Sequence, residues 1–332
     1  MFIIIIYLII NLLVLSLGSS IKTVKFISKY DFLMKMVEIQ NYSEHFFYPN
    51  KEDRTSLEEV VLFPGGEKKK GIPNSSVWVY SNEAEYNPRI MGTDVGCGIA
   101  GFIIPEIDYK ESADIVADYL KGKNILGRGN HFIDICSGIN GINSELDSHM
   151  VLLIHSDGKY LNNTFPKTYK EAEHKVEDAK TFRTELGNTL MKLLGVSGKC
   201  FGDWTHNSVE SDKDKIIYRK GVIKVIPDEV HILPSHLGYT VLAYTFSPQH
   251  LPPKQSMPHG SGRKKPLSSF KADEEKVREL RKVVYVPEII SDASLKSEHP
   301  DCYHDPSEIF KKLGKNMVNL GDFEILSYVG KV

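Results

Sequence analysis

The sequence predicts a mixed fold of the α+β or α/β kind, with central β-sheets and flanking helices. Three observations predict it. Short runs rich in β-branched and aromatic residues alternate with longer amphipathic runs. The composition, 41% hydrophobic and 25% charged, is that of a globular chain and excludes extended disorder. Chemistry-bearing residues sit in glycine-bordered turns between the runs, the usual place for a site carried on a rigid scaffold.

Taken in order, strands are expected at Val77–Tyr80, Ile99–Ile104, Val151–His155, Val222–Ile226, Tyr239–Phe246 and Glu324–Val329, each bounded by Gly, Pro or Asn. A helix is expected over Lys110–Lys121, where Ala113, Val116 and Leu120 share a face. A longer one spans Lys170–Leu194, with a stripe from Ala172 to Leu193. Thr168 and Glu171 form its capping box and Gly195 stops it. A third covers Pro306–Leu313, capped by Asp305, with Glu308 closing the box and Gly314 ending it.

The first 33 residues stand apart. Phe2–Leu17 is apolar except for Asn11 and Ser16. It reads as a signal or membrane anchor, although short for a span and without a basic leader. It reads equally as an upstream start, with Met34 or Met36 the true first residue. The domain is therefore placed at 34–332, and residues 1–33 are a hydrophobic extension. The body of the chain is expected in the cytoplasm, where four scattered cysteines without a CxxC pair fit a reducing compartment.

Lys plus Arg number 41 against 43 Asp plus Glu, so a net charge of −2 excludes a bulk-cationic coat for nucleic acid. A local basic groove remains open. Lys68, Lys69 and Lys70 are candidates for one, as are Arg263, Lys264 and Lys265; a solvated face is the plain alternative for each run.

Five turns carry the chemistry. Gly92-Thr93-Asp94-Val95-Gly96-Cys97-Gly98 aims a carboxylate and a thiolate from one glycine-flanked turn, a pair suited to a borderline divalent metal. The bland reading is a tight turn with a packed cysteine. Leu126-Gly127-Arg128-Gly129-Asn130-His131-Phe132-Ile133-Asp134 presents Asn, His and Asp from a glycine-rich loop. His155 ends an apolar run, where a histidine alone is more often structural. Trp204-Thr205-His206-Asn207 repeats the Asn–His pairing in reverse order. Met257-Pro258-His259-Gly260-Ser261-Gly262-Arg263-Lys264-Lys265 leaves close access to His259 and supplies cations for phosphate oxygens.

These motifs, in this order and together with Tyr218-Arg219-Lys220-Gly221, resemble the RtcB family of RNA ligases from about Leu62 to Val332, as a shortened and partly divergent member. The resemblance implies joining of an RNA 3′-phosphate or 2′,3′-cyclic phosphate to a 5′-hydroxyl, as in tRNA splicing or RNA repair. It implies consumption of GTP, a requirement for manganese (two ions), and a histidine–GMP intermediate on His259. It implies metal ligation by Asp94, Cys97, His131, His155 and His206. It implies nucleotide contacts from Asn130, Asp134, Asn207, Pro234, Ser235, His236, Leu237, Gly260, Ser261, Gly262 and the penultimate Lys331. The partners would be RNA ends, tRNA halves among them, met by a monomer.

The chain also departs from the family. Phe63-Pro64-Gly65-Gly66-Glu67 replaces an upstream Asp-x-His, Ser235-His236-Leu237-Gly238 replaces a Gly-Ser-Met-Gly loop, and Asp134 stands where Glu is usual. The stretch from His155 to His206 is short. Those departures keep two alternatives open: a non-catalytic relative that binds RNA ends, and a metal-dependent phosphoesterase.

Overall fold

The computed structural model describes residues 22–25, 56–64, 72–92, 94–127, 130–140, 149–157, 165–265 and 267–331. The chain is mixed helix and sheet, and its sheets are antiparallel, as an α+β fold requires. The apolar run Phe2–Leu17, Met34, Met36 and the Lys68–Lys70 run lie outside the described residues. Among the described residues no helix is long and apolar enough to cross a membrane.

Two five-stranded sheets form the frame. The first joins β1 (Lys22–Lys25), β2 (Leu57–Leu62), β3 (Ser76–Ser81), β8 (Asn207–Asp212) and β9 (Lys215–Lys220), in the order β1-β2-β3-β9-β8. Its edge strand β1 comes from the segment set aside as an extension, pairing Lys22 with Leu62 and Lys25 with Glu59. The second joins β4 (Gly98–Ile104), β5 (Phe132–Cys136), β6 (Met150–Ser156), β7 (Lys199–Thr205) and β15 (Ile325–Val329), in the order β15-β5-β6-β4-β7. A three-stranded sheet, β11 (His231–Leu233), β12 (Val241–Phe246) and β14 (Met317–Phe323), and the pair β10 (Val222–Lys224) with β13 (Ser256–Pro258), complete the β structure.

Helices α1 (Pro88–Met91), α2 (Tyr109–Leu120), α3 (Tyr169–Leu193), α4 (Glu274–Val283), α5 (Asp292–Leu295) and α6 (Pro306–Leu313) flank these sheets. The long α3 packs on β4, β6, β7 and β8, so it bridges the two large sheets. Its buried stripe includes Ala172, Val176, Ala179, Leu186 and Leu190, as the periodicity predicts, and also Arg183, which it does not; Leu193, expected to end the stripe, is exposed. Thr168 accepts from the Glu171 amide at 3.2 Å, but the Glu171 carboxylate takes the Lys167 amide at 2.7 Å, one residue before the cap. The box therefore closes outside the helix. In α6, Asp305 accepts from the Ser307 amide while the Glu308 carboxylate pairs with Lys311 at 2.8 Å instead of closing the box.

Two expected strands are shorter than their apolar runs. Tyr239 and Thr240 precede β12 because Gly238, at φ +80°, opens a turn in which the Tyr239 amide donates to the His236 carbonyl. At the other, β10 stops at Lys224 because the Ile226 amide donates to the His231 ring instead of a strand.

The register of the second sheet positions the site. Gly98 opens β4 opposite Ser156 at the end of β6 and opposite Thr205 at the end of β7. Phe132 opens β5 opposite His155. Antiparallel pairing thus brings the turns before β4 and β5 and after β7 to one end of one sheet, beside His155 near the end of β6.

Candidate functional site

At that end of the sheet Cys97, His131 and His155 converge. The Cys97 Sγ lies 3.4 Å from His155 Nε2 and 3.7 Å from His131 Nε2. Donor atoms of all three lie within 4.8 Å of one another. The distances suit one ion: metal–sulfur and metal–nitrogen bonds of about 2.3 and 2.1 Å at a tetrahedral angle put S and N about 3.6 Å apart.

Electrostatics agree with that use. Burial above all, then His131 and His259, holds His155 well below the usual histidine range. Burial, His259 and His155 do the same for His206. Both rings are therefore neutral near pH 7, the form that ligates metal. Burial pushes the Cys97 thiol well up, with Asp94 and Asp157 adding to it. A cation bound beside the sulfur would reverse that shift and hold the thiolate.

Asp94 and His206 stand just outside this set. The five expected ligands line one cavity, but they do not form a single ligand sphere. The His206 ring sits 5.2 Å from that of His155 and 4.4 Å from that of His259. One carboxylate oxygen of Asp94 accepts from Asn207 Nδ2 at 3.3 Å, and the other is buried without a hydrogen-bond partner.

The Cys97 turn is held from behind. Arg183, wholly buried in α3, donates Nη1 to the Gly96 carbonyl at 2.8 Å, Nε and Nη2 to Asp203 at 2.7 and 2.9 Å, and Nη2 to Thr205 at 2.9 Å. Gly96 has φ +90°, and a Cβ there would lie 2.7 Å from Ala179, so α3 packs directly on the turn. His206 is tied to the same turn by its amide, which donates to the Cys97 carbonyl at 2.8 Å.

His259 follows β13, which pairs with β10 through Val222 and Pro258. Its Nδ1 lies 2.7 Å from the Gly221 carbonyl. A carbonyl can only accept, so the hydrogen is on Nδ1 and the neutral ring carries its lone pair on Nε2.

His259, Gly260, Ser261 and Gly262 line the same cavity, of about 620 Å³, as do Asn130, Asp134 and Asn207. Pro234, Ser235, His236 and Leu237 line it too, and Ser235 donates to Ser261 at 3.1 Å. Lys331 does not line the cavity; it is exposed, and its carbonyl accepts from Ser294.

One part of the site has no counterpart among the sequence motifs. Glu298 is buried, and its carboxylate accepts from Asn130 at 3.1 Å, Tyr303 at 2.8 Å, Ser297 at 2.7 Å and Arg263 at 3.3 Å. It thereby joins the Asn130 loop, the loop after His259 and the segment before α6. Asp134 faces the same region with one oxygen unpartnered, and burial, reinforced by Glu298, keeps its carboxyl well above the usual range. Only the pattern of four donors converging in space identifies Glu298; nothing in its local sequence does.

Neither a protein-family model nor a curated protein sequence matches this chain. The functional reading therefore rests on the site and on the sequence motifs alone.

Proposed function

We propose that the chain is a GTP- and manganese-dependent RNA ligase of the RtcB type, joining a 3′-phosphate or 2′,3′-cyclic phosphate to a 5′-hydroxyl through a GMP adduct on His259. The observation that carries the reading is convergence. The Cys97–His131–His155 cluster, the His206–His259 pair and the glycine turn Gly260–Gly262 line one cavity, although their segments are spread over half the chain. A volume of about 620 Å³ also falls in the range of ordinary small-molecule pockets.

The donor set fits a metal. Cys97, His131 and His155 would hold one ion, with Asp94 and His206 available to a second; manganese is the ion that the resemblance implies. Thiolate and imidazole donors alone suit several borderline divalent ions. Such ions would neutralise phosphate charge and orient a leaving pyrophosphate.

The remaining steps belong to side chains. His259 would attack the α-phosphorus through Nε2, the nitrogen left with the lone pair by the Gly221 contact. A new N–P bond forms as the bond to pyrophosphate breaks. A 2′,3′-cyclic end would first be opened by water, which breaks the P–O2′ bond and leaves a 3′-phosphate. GMP would pass to the RNA 3′-phosphate, and the 5′-hydroxyl would then displace it. Arg263, steadied by Glu298 and Tyr303, is placed to offset phosphate charge. Gly260 and Gly262 keep side-chain bulk away from the attacking ring.

The full chain, with manganese, GTP and RNA carrying a 2′,3′-cyclic phosphate and a 5′-hydroxyl, should yield a joined product that depends on GTP. Release of phosphate without joining would favour the phosphoesterase reading. Binding of RNA ends with no chemistry would favour a non-catalytic relative.

A further inference from the structure

We infer that Asn207 is a positioning residue: through the backbone of Gly221 it holds His259 with hydrogen on Nδ1 and the lone pair on Nε2, and it ties that state to the loop bearing Asp94. Its catalytic consequence rests on the reading of His259 as nucleophile; the geometry does not. The resemblance implies instead that Asn207 touches the nucleotide.

Asn207 is buried, and both ends of its amide are engaged inside the protein. Oδ1 accepts from the Gly221 amide at 3.1 Å, and Nδ2 donates to Asp94 at 3.3 Å. Its backbone carbonyl accepts from the Gly96 amide at 2.9 Å, in the Cys97 turn. The amide orientation is fixed, because the Gly221 N–H can only donate and the Asp94 carboxylate, when ionised, can only accept. No other side chain of this size supplies one donor and one acceptor in those places. Aspartate offers the acceptor alone and leucine offers neither.

Gly221 passes the constraint on. It sits at φ +67°, and a Cβ there would lie 2.9 Å from the Ser75 amide nitrogen, so both its conformation and its surroundings require glycine. Its carbonyl accepts twice from His259, from the amide at 3.3 Å and from Nδ1 at 2.7 Å. Asn207 holds the Gly221 N–H, and the next peptide, which carries the Gly221 carbonyl, is held by the Val222 amide donating to the His206 carbonyl at 3.2 Å. The glycine is thus fastened on both sides, and the histidine ring meets an acceptor that cannot turn away. Asp94, Asn207, Gly221 and His259 thus form one path, hydrogen bonds joined through the Gly221 backbone, from the edge of the metal cluster to the nucleophile. A contiguous chain of this kind is the physical means by which loading of one group can set the state of another.

The test reads the tautomer directly. Ring-nitrogen NMR of the full chain with 15N-labelled histidine, at pH 8 and in the presence of zinc as a diamagnetic ion, separates protonated from unprotonated nitrogens. His259 is assigned by loss of its signals in His259→Gln. The wild-type ring should show a protonated Nδ1 and a bare Nε2. Asn207→Leu, which removes both contacts while keeping the number and branching of the side-chain heavy atoms, should give averaged shifts for both nitrogens. Asn207→Asp, which keeps the acceptor for Gly221, should stay close to wild type. A wild-type ring protonated on Nε2, or an Asn207→Leu ring unchanged from wild type, overturns the inference. If Asn207→Leu does not fold, the wild-type spectrum still decides the first point, and slow exchange of the Gly221 amide in wild type but not in Asn207→Ser decides the second.

The kinetic signature follows from the same geometry. A positioning role predicts that Asn207→Leu or Asn207→Ser lowers the rate of GMP labelling on the order of 10-fold to 10²-fold with KM for GTP unchanged. A raised KM with an unchanged rate would show direct nucleotide contact and reject the positioning role. Absence of labelling in wild type would reject the ligase reading, while the NMR result would still decide the relay.

Discussion

Replacing Arg183 by methionine removes the strut behind the Cys97 turn, and its cost can be worked from the contacts. The guanidinium is fully buried and makes four hydrogen bonds, two of them to Asp203, whose side chain is 14% exposed. Breaking one half of a buried pair costs about 3–5 kcal/mol, mostly because the partner charge is left unpaired. Loss of the bond to the Gly96 carbonyl comes within that figure, since such contributions are not additive. For a chain of this size, at about 2 °C per kcal/mol, the melting temperature should fall by roughly 6–10 °C. The same change frees the Cys97 turn, so zinc affinity should fall as well. Calorimetry and zinc titration measure the two effects. Arg183→Met with Asp203→Leu should recover much of the stability, because no charge is then left unpaired, but not the zinc affinity. A loss under about 1 kcal/mol, or a stability loss with unchanged zinc affinity, would refute the assigned role.

Other expectations follow from the same contacts. Glu298→Gln keeps the shape but offers one acceptor where the carboxylate offers two; GTP affinity should fall about tenfold with zinc binding intact, and unchanged GTP affinity would remove Glu298 from the site. Asp134 has its folded pKa raised by burial, so the native state keeps a proton that the unfolded chain releases above about pH 4. Asp134→Asn should therefore raise the melting temperature at pH 7, with the gain disappearing as pH falls to about 4; an equal gain at both values would contradict this. Gly127→Ala places a Cβ 2.4 Å from that of Asp157 at a φ of +89°, and should cost about 2 kcal/mol or more in denaturant titration. A neutral result there would mean that the Asn130 loop is not pinned against Asp157.

Much of the framework was legible because it follows local rules. The β-branched runs at Val77–Tyr80 and Ile99–Ile104 lie inside observed strands, and Asp305 and Gly314 bound α6 as expected. Local rules failed where polar residues carry the structure. Strand β8, Asn-Ser-Val-Glu-Ser-Asp, has little apolar signal and is held by pairing with β9 across a two-residue turn in which Lys213 takes φ +54°. Helix α4 buries only Val277 and Leu280, too sparse a stripe to read. The same blindness applies at the site. Glycine-bordered histidines were visible as candidates, because spacing and turn chemistry expose them. Arg183 and Glu298 were not: a charged residue on an amphipathic helix, or in a short polar segment such as Ser297-Glu298-His299, reads as solvent-facing until its partners are placed by tertiary structure. The grouping of ligands was also out of reach. The resemblance implied five ligands drawn together, whereas strand register brings Cys97, His131 and His155 together and leaves Asp94 and His206 at the border.

The central claim is that His259 Nε2 takes GMP beside a Cys97-centred metal cluster. Incubation of the full chain with manganese and α-labelled GTP, followed by denaturing electrophoresis, tests it most directly. The account predicts an acid-labile protein–GMP adduct that needs manganese, disappears in His259→Ala and leaves zinc binding by that variant intact. Labelling of the alanine variant at the wild-type level would contradict the account, and His236, which lines the same cavity, would then be the next nucleophile to test.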